Sequence, residues 1–287
     1  MEHKELGKSG VSLPEIGLGT WHYAGGVEPL RMGIENGAFF LDTAESYGSE
    51  EVVGETVRGI RARTFIATKV SPSHLKRVDL LRSAEQSLRR LQSDYIDLYQ
   101  LHGPNPRIPI EETMAAMEEL VDAGKVRFIG VSNFTVRELR KAEAVMRKYP
   151  IVSNQVRFSL VDRTIERELL PYCQKKGISI LAFSPLARGV QNILRKDRHG
   201  VLRQIASETG KTEAQIALNW CTARERVIAI TKSDSSNRLI DACNSSGWRL
   251  TMDHIRLLDE AIKYRRRGPT EIALRRVARR ILSRLGR

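Results

Sequence analysis

The sequence predicts an α/β fold in which eight parallel strands, alternating with helices, close into a (β/α)8 barrel. Eight short, β-rich runs follow one another along the 287 residues, and most are separated by segments with helical spacing. The runs are apolar on both faces, as expected of strands buried in a parallel sheet. Ionisable residues follow several of these runs, at the strand ends where such barrels keep their active sites.

The first part of the chain predicts a hairpin and four barrel strands. Gly7 and Gly10 lie between short mixed runs in residues 4–13, which predicts a small N-terminal β-hairpin. Apolar residues within 76–91 recur every three or four positions, the period of an amphipathic helix. The predicted elements are a strand over 16–19, a helix over 29–36, a strand over 39–41, a helix over 50–58, a strand over 65–69, a helix over 76–91 and a strand over 95–101.

The second part repeats the same alternation and supplies the other four strands. Gly124 and Gly177 follow helical segments, and glycine commonly ends a helix. Pro150 limits another helix, because proline disfavours helical backbone in the residue before it. The predicted elements are a helix over 110–123, a strand over 126–131, a helix over 135–148, a strand over 151–156, a helix over 164–176, a strand over 178–183, a helix over 212–224 and a strand over 227–230.

Composition and cysteine count exclude several classes of protein. Hydrophobic residues make up 41% of the chain, which allows a sizeable core. Three cysteines, Cys173, Cys221 and Cys243, are too widely spaced for a zinc or redox motif and make a disulfide framework improbable. The start carries no apolar signal core, and no apolar run approaches the ~18 residues of a membrane span. We therefore expect a soluble cytoplasmic protein with no transmembrane segment.

Positive charge is concentrated in the last 24 residues. The chain carries a net +13, and residues 264–287 hold nine arginines and one glutamate, which leaves +5 for the rest. A body with so little excess charge predicts no nucleic-acid partner. We accordingly divide the chain into a barrel over 1–263 and a basic amphipathic tail over 264–287.

The tail predicts a basic C-terminal helix, because its apolar and arginine residues fall largely on opposite faces. The apolar positions are Leu274, Val277, Ala278, Ile281, Leu282 and Leu285. One interpretation is a terminal helix packed on the barrel with solvated arginines. The other is a surface for an anionic partner or membrane, which basic amphipathic helices suit.

Four ionisable side chains stand at the exits of three successive predicted strands: Asp42, Tyr47, Lys69 and His102, which we call the tetrad. Asp42 and Tyr47 alone would mean little, since aspartate is common in turns and helix caps and tyrosine often only packs. Lys69 and His102 end the next two strands, and in a barrel all three exits share one rim. The sequence therefore predicts a site there.

The segments at these exits resemble the aldo-keto reductase superfamily over about residues 6–259. Five segments carry the resemblance: Asp-Thr-Ala-Glu-Ser-Tyr-Gly at 42–48, residues 94–102, residues 124–134, Asn-Gln-Val at 154–156 and Phe-Ser-Pro-Leu at 183–186. The resemblance implies a (β/α)8 TIM barrel, a nicotinamide cofactor bound without a Rossmann domain, and reduction of a small-molecule carbonyl substrate.

The resemblance also implies a role for each member of the tetrad. Hydride addition leaves negative charge on the carbonyl oxygen, which must receive a proton. A free tyrosine has a pKa of about 10, and a neighbouring ammonium lowers that pKa. Tyr47 would be the acid and Lys69 its partner. Asp42 would hold Lys69 charged and oriented, and His102 would hydrogen-bond the substrate oxygen.

Cofactor contacts follow from the same resemblance and predict NADP(H). Three groups are implied: Ser132, Asn133 and Gln155 for the nicotinamide carboxamide, Phe183 for stacking on its ring, and Lys232, Ser233 and Arg238 for the 2′-phosphate, with Asp241 near the adenine. Gly19, Thr20, Trp21, Ser184, Pro185 and Leu186 complete the predicted cofactor site. Lysine and arginine bind phosphate through charge-assisted hydrogen bonds, which favours NADP(H) over NAD(H).

Simpler interpretations of these residues stay open at this stage. Lys232 and Arg238 could be solvated surface charges, Phe183 could be plain core, and residues 132–133 could cap the next helix. His22 is predicted near the substrate mouth, whereas His3, His74, His199 and His254 are predicted to be ordinary surface residues. Residues 190–200 are predicted to be a short loop beside the cofactor.

Three functions fit the sequence. The first is an NADPH-dependent reductase of aldehydes or ketones, and the second is an NADP-dependent alcohol or sugar dehydrogenase that runs the same chemistry in reverse. The third is a non-enzymatic NADP(H)-binding regulatory subunit, as the potassium channel beta subunits of this superfamily are. The complete tetrad favours an enzyme.

Overall fold

The structure is a computed structural model that describes residues 1–268 and 271. An antiparallel hairpin of β1 (His3–Glu5) and β2 (Ser12–Pro14) precedes a closed barrel of eight parallel strands. The barrel strands are β3 (Ile16–Gly19), β4 (Phe40–Asp42), β5 (Phe65–Val70), β6 (Ile96–Leu101), β7 (Val126–Ser132), β8 (Ile151–Arg157), β9 (Ser179–Phe183) and β10 (Val227–Thr231). They pair in chain order, and β10 closes the ring on β3. The predicted barrel and hairpin are confirmed.

Helices alternate with the strands around the outside of the barrel. In the described chain they are α1 (Val27–Glu35), α2 (Glu50–Val57), α3 (Arg77–Leu91), α4 (Ile110–Asp122), α5 (Val136–Val145), α6 (Leu169–Lys176), α7 (Gln191–Leu194), α8 (Val201–Thr209), α9 (Glu213–Thr222), α10 (Ser236–Cys243) and α11 (Met252–Ala261). None of the described helices is long and apolar enough to cross a membrane.

The N-terminal hairpin contributes to the inner core of the barrel. Leu6 and Leu13 are completely buried and belong to the same apolar cluster as Phe40, Leu98 and Ile228 from the barrel strands. Gly7 shows how closely the hairpin packs, because a Cβ added there would lie 2.7 Å from the carbonyl oxygen of Val152. The hairpin therefore covers one end of the barrel, and the large cleft described below opens among the strand exits at the other.

Two predicted helices differ from the observed ones by more than two residues at one end. Residues 164–176 do not form one helix but a 3₁₀ turn over Thr164–Glu166 and then α6. Pro171 accounts for the break, because proline has no N–H to donate and its ring clashes with the preceding turn of a helix.

The helix predicted over 135–148 ends three residues early, at Val145. Beyond it, the backbone N–H groups of Arg147, Lys148 and Tyr149 donate to Oε1 of Glu118 at 2.9, 2.6 and 3.2 Å. These bonds to a buried carboxylate replace the helical bonds that the three groups would otherwise make.

Residues 190–200 contain a helical turn, α7, rather than only the short loop predicted there. The helices α8, α10 and α11 are also absent from the sequence-based prediction. Of these, α8 could have been predicted, because its apolar residues Leu202, Ile205 and Ala206 have the spacing of one helix face, and all three are buried.

The chain continues to contact the barrel beyond the predicted domain boundary at residue 263. Arg265 exchanges backbone hydrogen bonds with the loop after β8, accepting from Arg163 N–H at 3.1 Å and donating to Val161 O at 3.0 Å. Arg267 pairs with Asp162 in the same loop at 2.6 Å. Apart from residue 271, the predicted basic helix lies outside the described residues, including its apolar positions from Leu274 to Leu285.

Candidate active site

The four tetrad residues meet at the carboxyl ends of three neighbouring strands. Asp42 is the last residue of β4, Lys69 is the penultimate residue of β5, and His102 directly follows β6. Tyr47 ends a 3₁₀ turn over Glu45–Tyr47 in the loop after β4. Because parallel strands end on one rim of the barrel, side chains far apart in sequence come together there.

Asp42 and Lys69 form a buried ion pair at 2.7 Å, with side-chain exposures of 4% and 0%. Lys69 Nζ also donates to the carbonyl oxygen of Thr43 at 2.7 Å. The other carboxylate oxygen of Asp42 accepts from the side-chain amides of Gln155 at 2.7 Å and Gln100 at 3.3 Å. Burial alone would lower the pKa of Lys69, but the Asp42 carboxylate and Tyr47 together outweigh it and hold that pKa above the ordinary value. Lys69 therefore stays charged.

Tyr47 lies between the two remaining tetrad members. Its hydroxyl oxygen is 3.5 Å from Lys69 Nζ and 3.4 Å from His102 Nε2. The Tyr47 and His102 rings meet edge to face, with centroids 5.4 Å apart. All four predicted residues are thus within one hydrogen-bonded group.

The predicted lowering effect of Lys69 on the pKa of Tyr47 is present, but a larger effect of burial outweighs it. Burial raises the pKa of Tyr47 above its usual value; Lys69 opposes this shift, whereas Asp42 adds to it. The sequence pattern reveals a neighbouring ammonium but not the loss of solvent around the phenol, which disfavours the charged form. Tyr47 therefore holds its proton, and the contribution of Lys69 is to favour the phenolate once the proton leaves.

A cleft of about 1080 Å³ opens at this rim. Asp42, Tyr47 and His102 line it, whereas Lys69 is completely buried behind its wall. All predicted cofactor residues also line the cleft: Gly19, Thr20, Trp21, Ser132, Asn133, Gln155, Phe183, Ser184, Pro185, Leu186, Lys232, Ser233, Arg238 and Asp241. The structure therefore brings every sequence-predicted site residue to one place.

The residues predicted for the nicotinamide are linked to the tetrad by hydrogen bonds. The Gln155 side chain donates to Asp42, and its backbone oxygen accepts from the Ser132 hydroxyl at 2.9 Å. Asn133 has a left-handed backbone, with φ of 62°, and donates from Nδ2 to the His102 carbonyl oxygen at 3.0 Å. A displacement of Gln155 or Asn133 would therefore also disturb the position of Asp42 or His102.

Two of the simpler interpretations fail here. Residues 132–133 do not cap the following helix, because the N-cap of α5 is Thr135, which forms a capping box with Glu138. Phe183 is not plain core, since its ring is only half-buried and lines the cleft, with the Arg157 guanidinium 5.2 Å from its centroid.

At the far end of the cleft, the predicted phosphate and adenine residues differ in their partners. Lys232 pairs with Asp234, and Asp241 accepts from Gln215 Nε2 at 2.9 Å. Arg238 is exposed and forms no ion pair with any residue in the described part of the chain. Its guanidinium is therefore a cation whose charge no described carboxylate neutralises.

Sequence reasoning missed several residues that line the cleft. Arg188 lies over the Trp21 ring, with its guanidinium 5.0 Å from the ring centroid, and has a left-handed backbone with φ of 66°. Residues 212–214 reach the cleft from the start of α9. The helix start itself was predicted at residue 212, where Thr212 and Gln215 form a capping box. Its position beside the cleft was not predicted, and nothing in the local pattern marks Arg188.

Comparison with known proteins identifies the family that shares this fold. Residues 15–263 match the aldo/keto reductase family. Methylglyoxal reductase YeaE of Escherichia coli is 39% identical over 246 residues, covering 81% of this chain and 86% of that protein. Glyoxal reductase of Bacillus subtilis is 36% identical, covering 91% and 93%.

Solved structures share the fold over nearly their whole length. A thermostable aldo-keto reductase in complex with the inhibitor epalrestat has a TM-score of 0.86 and 41% identity, covering 91% of this chain and 100% of that one. An aldo/keto reductase from Klebsiella pneumoniae in complex with NADP and acetate has a TM-score of 0.84 and 35% identity, covering 93% and 97%.

Proposed function

The chain belongs to the aldo/keto reductase family, as its motifs predicted, and from this premise we propose that it is an NADPH-dependent reductase of small aldehydes and ketones. One observation carries the proposal: the Tyr47 hydroxyl lies within 3.5 Å of both Lys69 Nζ and His102 Nε2 on the wall of a large cleft. A phenol, an ammonium and an imidazole in that arrangement suit proton donation to a carbonyl oxygen.

The cleft fits a nicotinamide dinucleotide in size and in chemistry. Its volume of about 1080 Å³ lies at the upper end of ordinary ligand pockets, ~1,000 Å³, as expected of a site for a ligand as large as a dinucleotide. At the tetrad end, Ser132, Asn133 and Gln155 offer the polar groups that a carboxamide needs. At the other end, Arg238 offers an unneutralised charge for a phosphate.

The chemistry divides between the cofactor and the chain. When bound, NADPH supplies the hydride. Tyr47 gives its proton to the carbonyl oxygen as negative charge develops there, and His102 orients that oxygen with a hydrogen bond. Lys69 stabilises the resulting phenolate, and Asp42 keeps Lys69 charged and in place. In the opposite direction the same groups would serve alcohol oxidation.

The 2′-phosphate is the reason to expect NADPH rather than NADH. We expect Arg238→Ala to weaken NADPH binding about ten- to a hundredfold, the equivalent of losing a hydrogen bond to a charged group. NADH affinity should change little, because NADH lacks the phosphate. Fluorescence titration of both cofactors measures this, and an equal loss for the two would assign Arg238 to the fold or the adenine instead.

Steady-state turnover of NADPH against a panel of carbonyl compounds tests the proposal. Methylglyoxal and glyoxal should head the panel, because two relatives are named for their reduction. We expect oxidation of NADPH that depends on both the aldehyde and the enzyme. Tight NADPH binding without turnover of any aldehyde, ketone or alcohol would favour the regulatory-subunit alternative.

A further inference from the structure

Glu45 is a buried carboxylate close to Tyr47 that the proposed chemistry does not use. Its side chain is only 8% exposed. Oε1 accepts from the backbone N–H of Ser71 at 2.6 Å and lies 2.9 Å from Nδ1 of His74. Glu45 is absent from the described residues that line the cleft. The described partners of this carboxylate are therefore groups of the chain.

The contacts of Glu45 join the two loops that hold Tyr47 and Lys69. Glu45 lies two residues before Tyr47, and Ser71 lies two residues after Lys69. A second bond joins the same loops, because Lys69 Nζ donates to the Thr43 carbonyl oxygen at 2.7 Å. The loop after β4 is thus fixed to the end of β5 on both sides of Ala44.

The Tyr47–Lys69 contact is sensitive to small movements of these loops. Its 3.5 Å separation is already long for a hydrogen bond, and the attraction between ammonium and phenolate falls with distance. Misplacement of a reacting group by about 1 Å can cost a hundredfold in rate. A bond that fixes one loop against the other therefore bears directly on proton transfer.

We propose that Glu45 is a positioning residue whose bonds to Ser71 and His74 set the distance between Tyr47 and Lys69. This inference rests on the proposed function. Since a carboxylate can only accept, the proton shared with Glu45 belongs to Nδ1 of His74. Ser83 Oγ lies 3.3 Å from the same nitrogen. His74, predicted to be an ordinary surface residue, is thus an anchor for this carboxylate.

Three variants test the inference, with Glu51→Gln as the matched control, since Glu51 is an exposed carboxylate on α2. We expect Glu45→Ala to lower kcat about ten- to a hundredfold while the KM for NADPH stays unchanged. Glu45→Gln keeps one acceptor oxygen, and His74→Phe keeps the bond between Glu45 and Ser71. Both variants should therefore lose less kcat than Glu45→Ala. Glu51→Gln should match the wild type.

The pH dependence of kcat separates positioning from a general loss of stability. Lys69 opposes the upward shift of the Tyr47 pKa, so a Tyr47 that moves away from Lys69 should titrate at higher pH. We therefore expect the alkaline limb of the kcat profile to move upward in Glu45→Ala, or in Glu45→Gln if the alanine variant does not fold. A wild-type kcat in these variants overturns the inference. The inference is also overturned if kcat falls only in proportion to the melting temperature and the alkaline limb of the kcat profile does not move. Absence of turnover in the wild type would instead overturn the proposed function.

Discussion

Replacing Tyr47 with phenylalanine is expected to lower kcat by a factor of about 10² to 10⁴, the usual contribution of a positioned general acid. Phenylalanine keeps the ring that packs edge to face against His102 and removes only the hydroxyl. NADPH affinity should stay close to wild type, because the predicted cofactor contacts lie on other residues. Stopped-flow and steady-state measurements of NADPH oxidation give kcat, and fluorescence titration gives the affinity.

The control for this variant is Tyr149→Phe, which also removes one tyrosine hydroxyl. The Tyr149 hydroxyl bonds Asp122 on an outer helix, and Tyr149 is absent from the described lining of the cleft. We expect this control to retain wild-type kcat. Retention of wild-type kcat by Tyr47→Phe would remove Tyr47 from the acid role.

Replacing Lys69 with methionine is expected to affect both stability and turnover. Methionine has a similar length but no charge, so Asp42 would be left 4% exposed without its ion partner. Removing one member of a buried pair costs about 3–5 kcal/mol. The amides of Gln155 and Gln100 still donate to Asp42, which places our expectation at the lower end of that range. Urea denaturation measures the change.

The double variant Asp42→Asn/Lys69→Met separates the two effects. It removes both charges, so it should regain part of the stability lost in Lys69→Met. Turnover should stay low in both variants, because neither has an ammonium beside Tyr47. A double variant with near wild-type kcat would exclude Lys69 from the chemistry, and equal stability in the two variants would show that the unpaired Asp42 charge costs nothing.

The sequence was informative wherever a local pattern dictates the structure. The strands were predictable because buried parallel strands must be apolar on both faces, and the rim residues followed from the strand ends. The broken segment 164–176 was predictable in principle, since Pro171 stands inside it. The end of α5 at Val145 was not predictable, because it depends on bonds to Glu118, which belongs to a different helix.

In the candidate site, too, local patterns could be predicted and contacts between distant segments could not. Asp42, Tyr47, Lys69 and His102 could be predicted because each lies at the end of a strand or in the loop just after it. The contacts of Glu45 could not, since Ser71 and His74 belong to the next strand's loop and only side-chain direction brings them together. Net pKa values also depend on burial by distant segments, so the net upward shift of the Tyr47 pKa could not be predicted from the neighbouring ammonium alone.

Hydride transfer from the cofactor with Tyr47 as the acid is tested most directly by a single turnover with NADPH that carries deuterium at the reactive position of the nicotinamide. The enzyme is mixed with this cofactor and methylglyoxal, and the product is analysed by mass spectrometry and NMR. This mechanism should give one deuterium on the new carbinol carbon in the wild type, formed much more slowly by Tyr47→Phe. Alcohol product without deuterium, or equal rates in the two proteins, would contradict it.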